Sequence, residues 1–213
     1  GIDFLTTRPM EIEKKSFEII KGELGEEFVS RYPADALPVL CRVIHTTADF
    51  SYRDTLTITE GAIGLAKEAI HRGLPIITDT TMAASGINKT AARKFGIDVH
   101  CFIGDEDVKE AAKASGMTRS AVSAEKAARL YPECIYAVGN APTALMRLYE
   151  LIEEKRIRPA LIIGVPVGFV NVVEAKELIL RTDVPAIVAR GRKGGSNIAA
   201  AICNALLYEA GGR

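Results

Sequence analysis

Two kinds of apolar patterning divide this chain. Up to Gly73 the hydrophobic positions recur at helical spacing. Pro9 to Leu24 reads as a helix: Pro9 suits a first helical position, and Ile12, Ser16, Ile19 and Ile20 share a face that Ser16 interrupts with a hydroxyl. Pro33 and Pro38 bracket the start of the next helix, which runs to about Ala48 with Leu37, Cys41, Ile44 and Ala48 as its core face. Thr59 to Gly73 predicts a third helix, terminated by its glycine.

Beyond Gly73 short apolar runs alternate with helical stretches. Leu74–Thr78, ending at Asp79, and Asp98–Ile103 are the first two runs. Three more enter glycine-containing turns: Cys134-Ile-Tyr-Ala-Val-Gly139, Ala160-Leu-Ile-Ile-Gly164 and Ala186-Ile-Val-Ala-Arg190-Gly191. Helices are expected over Glu106–Ala114, Ser120–Leu130, Thr143–Lys155, Val172–Leu180 and Ser196–Glu209. The runs are apolar throughout rather than alternating, as burial on both faces requires. The expectation is therefore a doubly wound α/β fold: one domain over residues 1–213, with a mainly parallel sheet of about five strands and helices on both faces. In such sheets ligands bind at the carboxyl ends of the strands.

Composition narrows the classes of function. The chain has 213 residues, and its 27 basic and 27 acidic side chains cancel. No bulk positive field exists to hold a nucleic acid. No apolar run approaches the ~20 residues that span a bilayer, and residues 1–8 carry no signal pattern. A cytoplasmic protein without a membrane partner is expected. Cys41, Cys101, Cys134 and Cys203 are far apart in apolar surroundings and read as buried free thiols. His45, His71 and His100 show no metal-ligand spacing. His71 and His100 read as structural, one at a helix end and one inside a strand.

Candidate chemistry gathers at a few places. In helical geometry Arg42, His45 and Asp49 share a face. The imidazole suits proton exchange, Asp49 could orient it, and Arg42 could hold an anion; the plainer reading is a helix-end histidine with an ordinary ion pair. The loop of Gly191, Arg192, Lys193, Gly194, Gly195 and Ser196 precedes the last helix, so glycine backbone and a helix N-terminus offer N–H groups to a carboxylate or phosphate. It has neither Walker A nor Gly-x-Gly-x-x-Gly spacing. Asn140, in Gly139-Asn-Ala-Pro-Thr-Ala-Leu145, either contacts a ligand or simply opens a helix. Gly164-Val-Pro-Val-Gly168-Phe169 fits a wall against a large flat ligand, and equally a buried turn. Asp79 at a strand end and Arg119 at a helix start are further candidate contacts, with helix capping as the alternative for both.

Taken in order, Arg42-x-x-His45-Thr-Thr-Ala-Asp49, Gly139-Asn-Ala-Pro-Thr-Ala-Leu145, Gly164-Val-Pro-Val-Gly-Phe-Val170 and Gly191-Arg-Lys-Gly-Gly-Ser196 resemble the precorrin-8X methylmutase family, also called cobalt-precorrin-8 methylmutase or precorrin isomerase. Glu11-x-x-x-x-Ser16-Phe-x-Ile-Ile20 extends the resemblance to nearly the whole chain. The resemblance implies an isomerase of cobalamin biosynthesis that moves a methyl group from C11 to C12 of a corrinoid, giving hydrogenobyrinate or cobyrinate. It implies no added cofactor, and a homodimer with sites near the subunit interface. His45 matches the family histidine that handles the proton; Ser16 and Arg42 match substrate-contacting positions. Where the family often reads Glu-Ser-Lys, this chain has Glu174-Ala175-Lys176 and so lacks that hydroxyl.

The residues suit such a substrate. A polycarboxylate macrocycle calls for dispersed arginines, lysines and helix N-termini, and its flat body for glycine-rich aliphatic walls. Methyl migration within a conjugated ring needs no nucleophile, and one histidine that protonates a ring nitrogen would assist it. A corrinoid carrier without turnover, and a phosphate- or nucleotide-binding enzyme using the Gly191–Ser196 loop, remain open at this point.

Overall fold

A computed structural model describes residues 1–212. Helix α1 (Pro9–Leu24) begins on its proline and ends at Gly25, whose φ of 92° breaks the helical path. The short α2 (Glu26–Arg31) leads to α3 (Leu37–Thr47), which buries Leu37, Val39, Leu40, Cys41, Val43 and Ile44. Ala48, in the left-handed region at φ 55°, closes α3. The α1 stripe differs from expectation. Ile20 and Leu24 are buried, but Ile12 and Ile19 stay more than two-fifths exposed, because α1 lies on the outside of the helical layer.

The chain then passes through α4 (Tyr52–Thr55), β1 (Leu56–Ile58), α5 (Ala62–His71), β2 (Ile76–Thr78), α6 (Thr81–Gly86), α7 (Lys89–Arg93) and β3 (Val99–His100). Next come α8 (Glu106–Ser115), α9 (Arg119–Leu130), β4 (Ile135–Val138), α10 (Pro142–Glu153), β5 (Leu161–Gly164), α11 (Val172–Leu180), β6 (Ala186–Ala189) and α12 (Ser196–Ala210). The sheet has six strands in the order β1-β6-β5-β4-β2-β3. All neighbours are parallel except β1, which runs antiparallel to β6 with Leu56 opposite Ala189.

The doubly wound α/β class holds, with one strand more than the expected five. The extra strand is β1, and it also corrects the start of the third helix. Thr59 is not helical: its N–H and Oγ1 exchange hydrogen bonds with the backbone of Ala186, which extends the ladder, and α5 begins only at Ala62. Three residues at a sheet edge carry too short a pattern to show in the sequence. The run Asp98–Ile103 contributes only Val99 and His100 to the sheet.

Alternate strand residues feed two cores. Ile76, Ile135, Ala137, Leu161, Ile163 and Ile187 face α1, α3, α5 and α12, whereas Ile77, Tyr136, Val138, Ile162 and Val188 face α8 to α11. Helix α12 is central to the first layer and buries nine of its residues, many of them alanine. Small side chains let it approach the sheet closely. A Cβ on Gly139, just after β4, would lie 2.6 Å from the Ser196 Cα. Gly139→Ala is expected to cost about 1–3 kcal/mol of stability, since backbone on both sides must move apart. Urea unfolding would show this as a lower midpoint at unchanged slope.

Candidate functional site

After β2 the chain turns to β3 on one side of the sheet and later returns to β4 on the other. The crevice at the carboxyl ends of β2 and β4 is thus the topological switch point, the usual ligand edge of such a sheet. Asp79, one residue beyond β2, occupies it and is only 1% exposed. Its Oδ1 accepts the Gly139 N–H at 2.8 Å, and its Oδ2 accepts those of Asn140 and Ala141 at 2.9 and 2.8 Å. Burial pushes its pKa up, while the three N–H groups pull it back toward the carboxylate. Asp79, expected as a candidate contact, thus clasps the β4–α10 turn with both of its oxygens facing backbone. Beside it, Thr80 caps α6 through the Ala83 N–H and shares a 2.8 Å hydrogen bond with the Ser196 hydroxyl. Asn140 spends its N–H on Asp79 and leaves its side chain exposed.

The loop before α12 is fixed from below. The Gly195 N–H donates to Val165 O at 2.9 Å and the Gly168 N–H to Arg192 O at 3.0 Å. The carbonyls of Gly191 and Lys193 accept from the Lys176 Nζ at 2.6 and 3.0 Å. Gly194 admits no Cβ, which would overlap the Val165 carbonyl, and Gly195 sits at φ 137°. The glycines therefore serve close packing of two loops as well as any ligand. Arg192 and Lys193 remain exposed. Arg192 lies 5.3 Å over the ring of Phe169, which with Val167 and Val170 forms an exposed apolar lip.

Lys193 reaches across to Asp49 at 2.7 Å and Ser51 at 3.2 Å, which places the end of α3 beside the glycine loop. This pairing holds the Asp49 pKa at about 2. It also corrects the expected Arg42, His45 and Asp49 cluster. Ala48 ends the helix, so Asp49 leaves the shared face and does not orient the imidazole. Arg42 turns instead to Glu13 of α1 at 2.8 Å, between the rings of Phe17 and Tyr208, and lines a cleft of about 290 Å³. His45 is exposed and meets the edge of Phe17 at 5.5 Å; among the described residues no acid or hydroxyl engages it. Ser16, half-buried, precedes Phe17 on α1.

Arg119 stands apart. Thr118 caps its helix through the Ala121 N–H and bonds Thr143 of α10, while Arg119 lines a cleft with Lys109, Lys113 and Met117 that no other expected site residue shares. All four cysteines are free, with Cys101 the least buried. Among the described residues no three acids, histidines or cysteines converge on a metal position. Sequence patterning missed Glu13, Thr80 and Lys176. The first two look like surface residues in the sequence, and Lys176, with Glu174 and Glu177 beside it, reads as an ordinary surface charge although its partners are carbonyls 15 and 17 residues further on.

The fold and this edge define an α/β domain with glycine-containing loops packed together at a switch point. Residues 11–209 match the CbiC family, described as precorrin-8X methylmutase. The chain is 44% identical to the cobalt-precorrin-8 methylmutase of Leptospira interrogans, over 95% of this chain and 94% of that one. It is 43% identical to the cobalt-precorrin-8 methylmutase of Salmonella typhimurium, over 95% and 96%. The crystal structure of precorrin-8X methyl mutase from Thermus thermophilus superposes with a TM-score of 0.85 at 37% identity, covering 94% of this chain and 98% of that one. The chain belongs to the precorrin-8X methylmutase family and is an isomerase of cobalamin biosynthesis.

Asp79→Asn places an amide donor against at least one of the N–H groups that the carboxylate now accepts. About 1–3 kcal/mol of stability should be lost, and turnover should fall with the distorted Gly139–Ala141 turn. Urea unfolding and steady-state kinetics on the same preparation check both.

Proposed function

We propose that this protein moves a methyl group from C11 to C12 of precorrin-8X or cobalt-precorrin-8, giving hydrogenobyrinate or cobyrinate, with His45 as proton donor. The C11–CH3 bond breaks as the C12–CH3 bond forms, and the ring double bonds shift to match. Composition and oxidation state are unchanged. The proton that His45 lends to a ring nitrogen in the transition state is returned afterwards. The observation that carries the reading is the exposed imidazole near the end of α3, which no acid or hydroxyl of the described residues engages, on a helix end that the Asp49 to Lys193 pair joins to the glycine loop.

Other features support it. The apolar lip of Val167, Phe169 and Val170 suits a flat ring, and Arg192, Lys193 and the N-terminus of α12 suit its carboxylates. Arg42 would receive a further carboxylate in exchange for, or beside, Glu13. Ser16, Asn140 and Arg119 are proposed as outer contacts. Exposed Met10, Ile12 and Ile19 on α1, with the lip itself, favour a homodimer that covers them. No described helix is long and apolar enough to cross a membrane. A cytoplasmic location is part of the proposal and rests on membership of a biosynthetic enzyme family. The balanced net charge favours no nucleic-acid partner.

His45→Ala is expected to bind cobalt-precorrin-8 with affinity within about threefold of wild type while turnover falls at least about a hundredfold, the usual scale of a lost acid catalyst. A spectral titration reports the affinity, and the absorption change on conversion reports the turnover. Unchanged turnover in the variant would remove His45 from its role. Tight binding without conversion by the wild-type protein would leave a corrinoid carrier.

A further inference from the structure

Lys176 stands in α11 and is 1% exposed, one of the largest fully buried side chains in the protein. No carboxylate of the described residues lies within ion-pair distance of it. Its ammonium donates only to the carbonyls of Gly191 and Lys193, at 2.6 and 3.0 Å. Desolvation draws its pKa down to about 8. A buried cation of this kind stabilises a fold poorly, since an apolar side chain of similar volume would pack there without losing hydration.

What the ammonium does is orient peptides. In a trans peptide the N–H points opposite to the C=O. Holding Gly191 O and Lys193 O inward therefore turns the N–H groups of Arg192 and Gly194 outward. The intervening carbonyl, Arg192 O, is taken by the Gly168 N–H. Three successive carbonyls are thus occupied, and among the described residues the N–H groups of Arg192, Lys193 and Gly194 donate to no backbone carbonyl. Successive outward N–H groups form an anion-binding concavity, and here a buried positive charge lies directly behind it.

We propose that Lys176 is a positioning residue of the methylmutase: it pins the Gly191 and Lys193 carbonyls and so aims the Arg192 and Gly194 N–H groups at one carboxylate of the corrinoid. The inference rests on the methylmutase reading and assigns a device within it. Lys176 touches no substrate atom. Its effect falls on binding, because a peripheral carboxylate is held equally in the ground and transition states.

Two measurements test this. In steady-state assays with cobalt-precorrin-8, Lys176→Met should raise KM about tenfold or more while kcat stays within about threefold. Lys176→Arg, which keeps charge and donors, should recover part of the loss. In wild-type protein, cobyrinate should slow hydrogen exchange at the Arg192 and Gly194 amides, and this protection should vanish in Lys176→Met. A folded Lys176→Met with unchanged KM, or with a fall in kcat alone, would overturn the proposal. So would wild-type amides that cobyrinate leaves unprotected, a result that stands even where the variant does not fold. Wild-type turnover with unprotected amides sinks this inference alone; a wild-type protein that neither binds nor converts the corrinoid sinks the methylmutase reading with it.

Discussion

A single carboxylate holds the working edge of this protein together. Stripping water from the Asp79 carboxylate is costly, and it is tolerated because three backbone N–H groups replace that water at hydrogen-bond distance. The bonds run from the end of β2 to the turn after β4, across the one crevice of the sheet where chain order reverses. They fix where α10 starts. With Gly139 lacking a side chain, they also leave room for the first residue of α12 to settle against that turn. The Thr80 to Ser196 hydrogen bond closes the third side.

The loop from Gly191 to Ser196 follows the same logic of occupied backbone groups. Its carbonyls are bound from beneath by Lys176 and Gly168, and the Gly195 N–H is anchored on Val165. Little rearrangement is left for the moment a ligand arrives. Donors oriented before binding act on developing or peripheral charge without a reorganisation cost. The charged side chains of the loop differ in this respect. Lys193 is already committed to Asp49, whereas Arg192 lies along Phe169 and stays exposed.

Helix α1 contrasts with the rest of the fold. It presents Phe17 to Arg42 and His45 of the proposed site, but it buries only Ile20 and Leu24 and leaves Met10, Ile12 and Ile19 exposed. Its apolar stripe is wider than the contact it makes within one chain. The Glu13 to Arg42 ion pair, with both side chains largely buried, is the main polar tie between α1 and α3. The end of the proposed site that carries the imidazole therefore depends on a helix that buries only two of its 16 residues.

The order of strands from Leu74 onward, and of helices α8 to α12, was legible in the sequence, because buried parallel strands are continuously apolar and their turns are marked by Gly139, Gly164 and Gly191; the short α6 and α7 between β2 and β3 were not. The resemblance carried by the Arg42 to Asp49, Gly139 to Leu145 and Gly191 to Ser196 segments named the family. Edge strand β1 was not legible, since Leu56, Thr57 and Ile58 acquire strand character only from the ladder offered by β6. The partners of charged residues were hidden for a related reason. Helical spacing joined Asp49 to His45, but the left-handed Ala48 sent Asp49 to Lys193, 144 residues away in the chain. The backbone partners of Asp79 likewise appeared only when the fold brought the Gly139–Ala141 turn over it. Local sequence determines which segments bury their apolar atoms; which donor meets which acceptor is decided by chain crossings that only the assembled sheet provides.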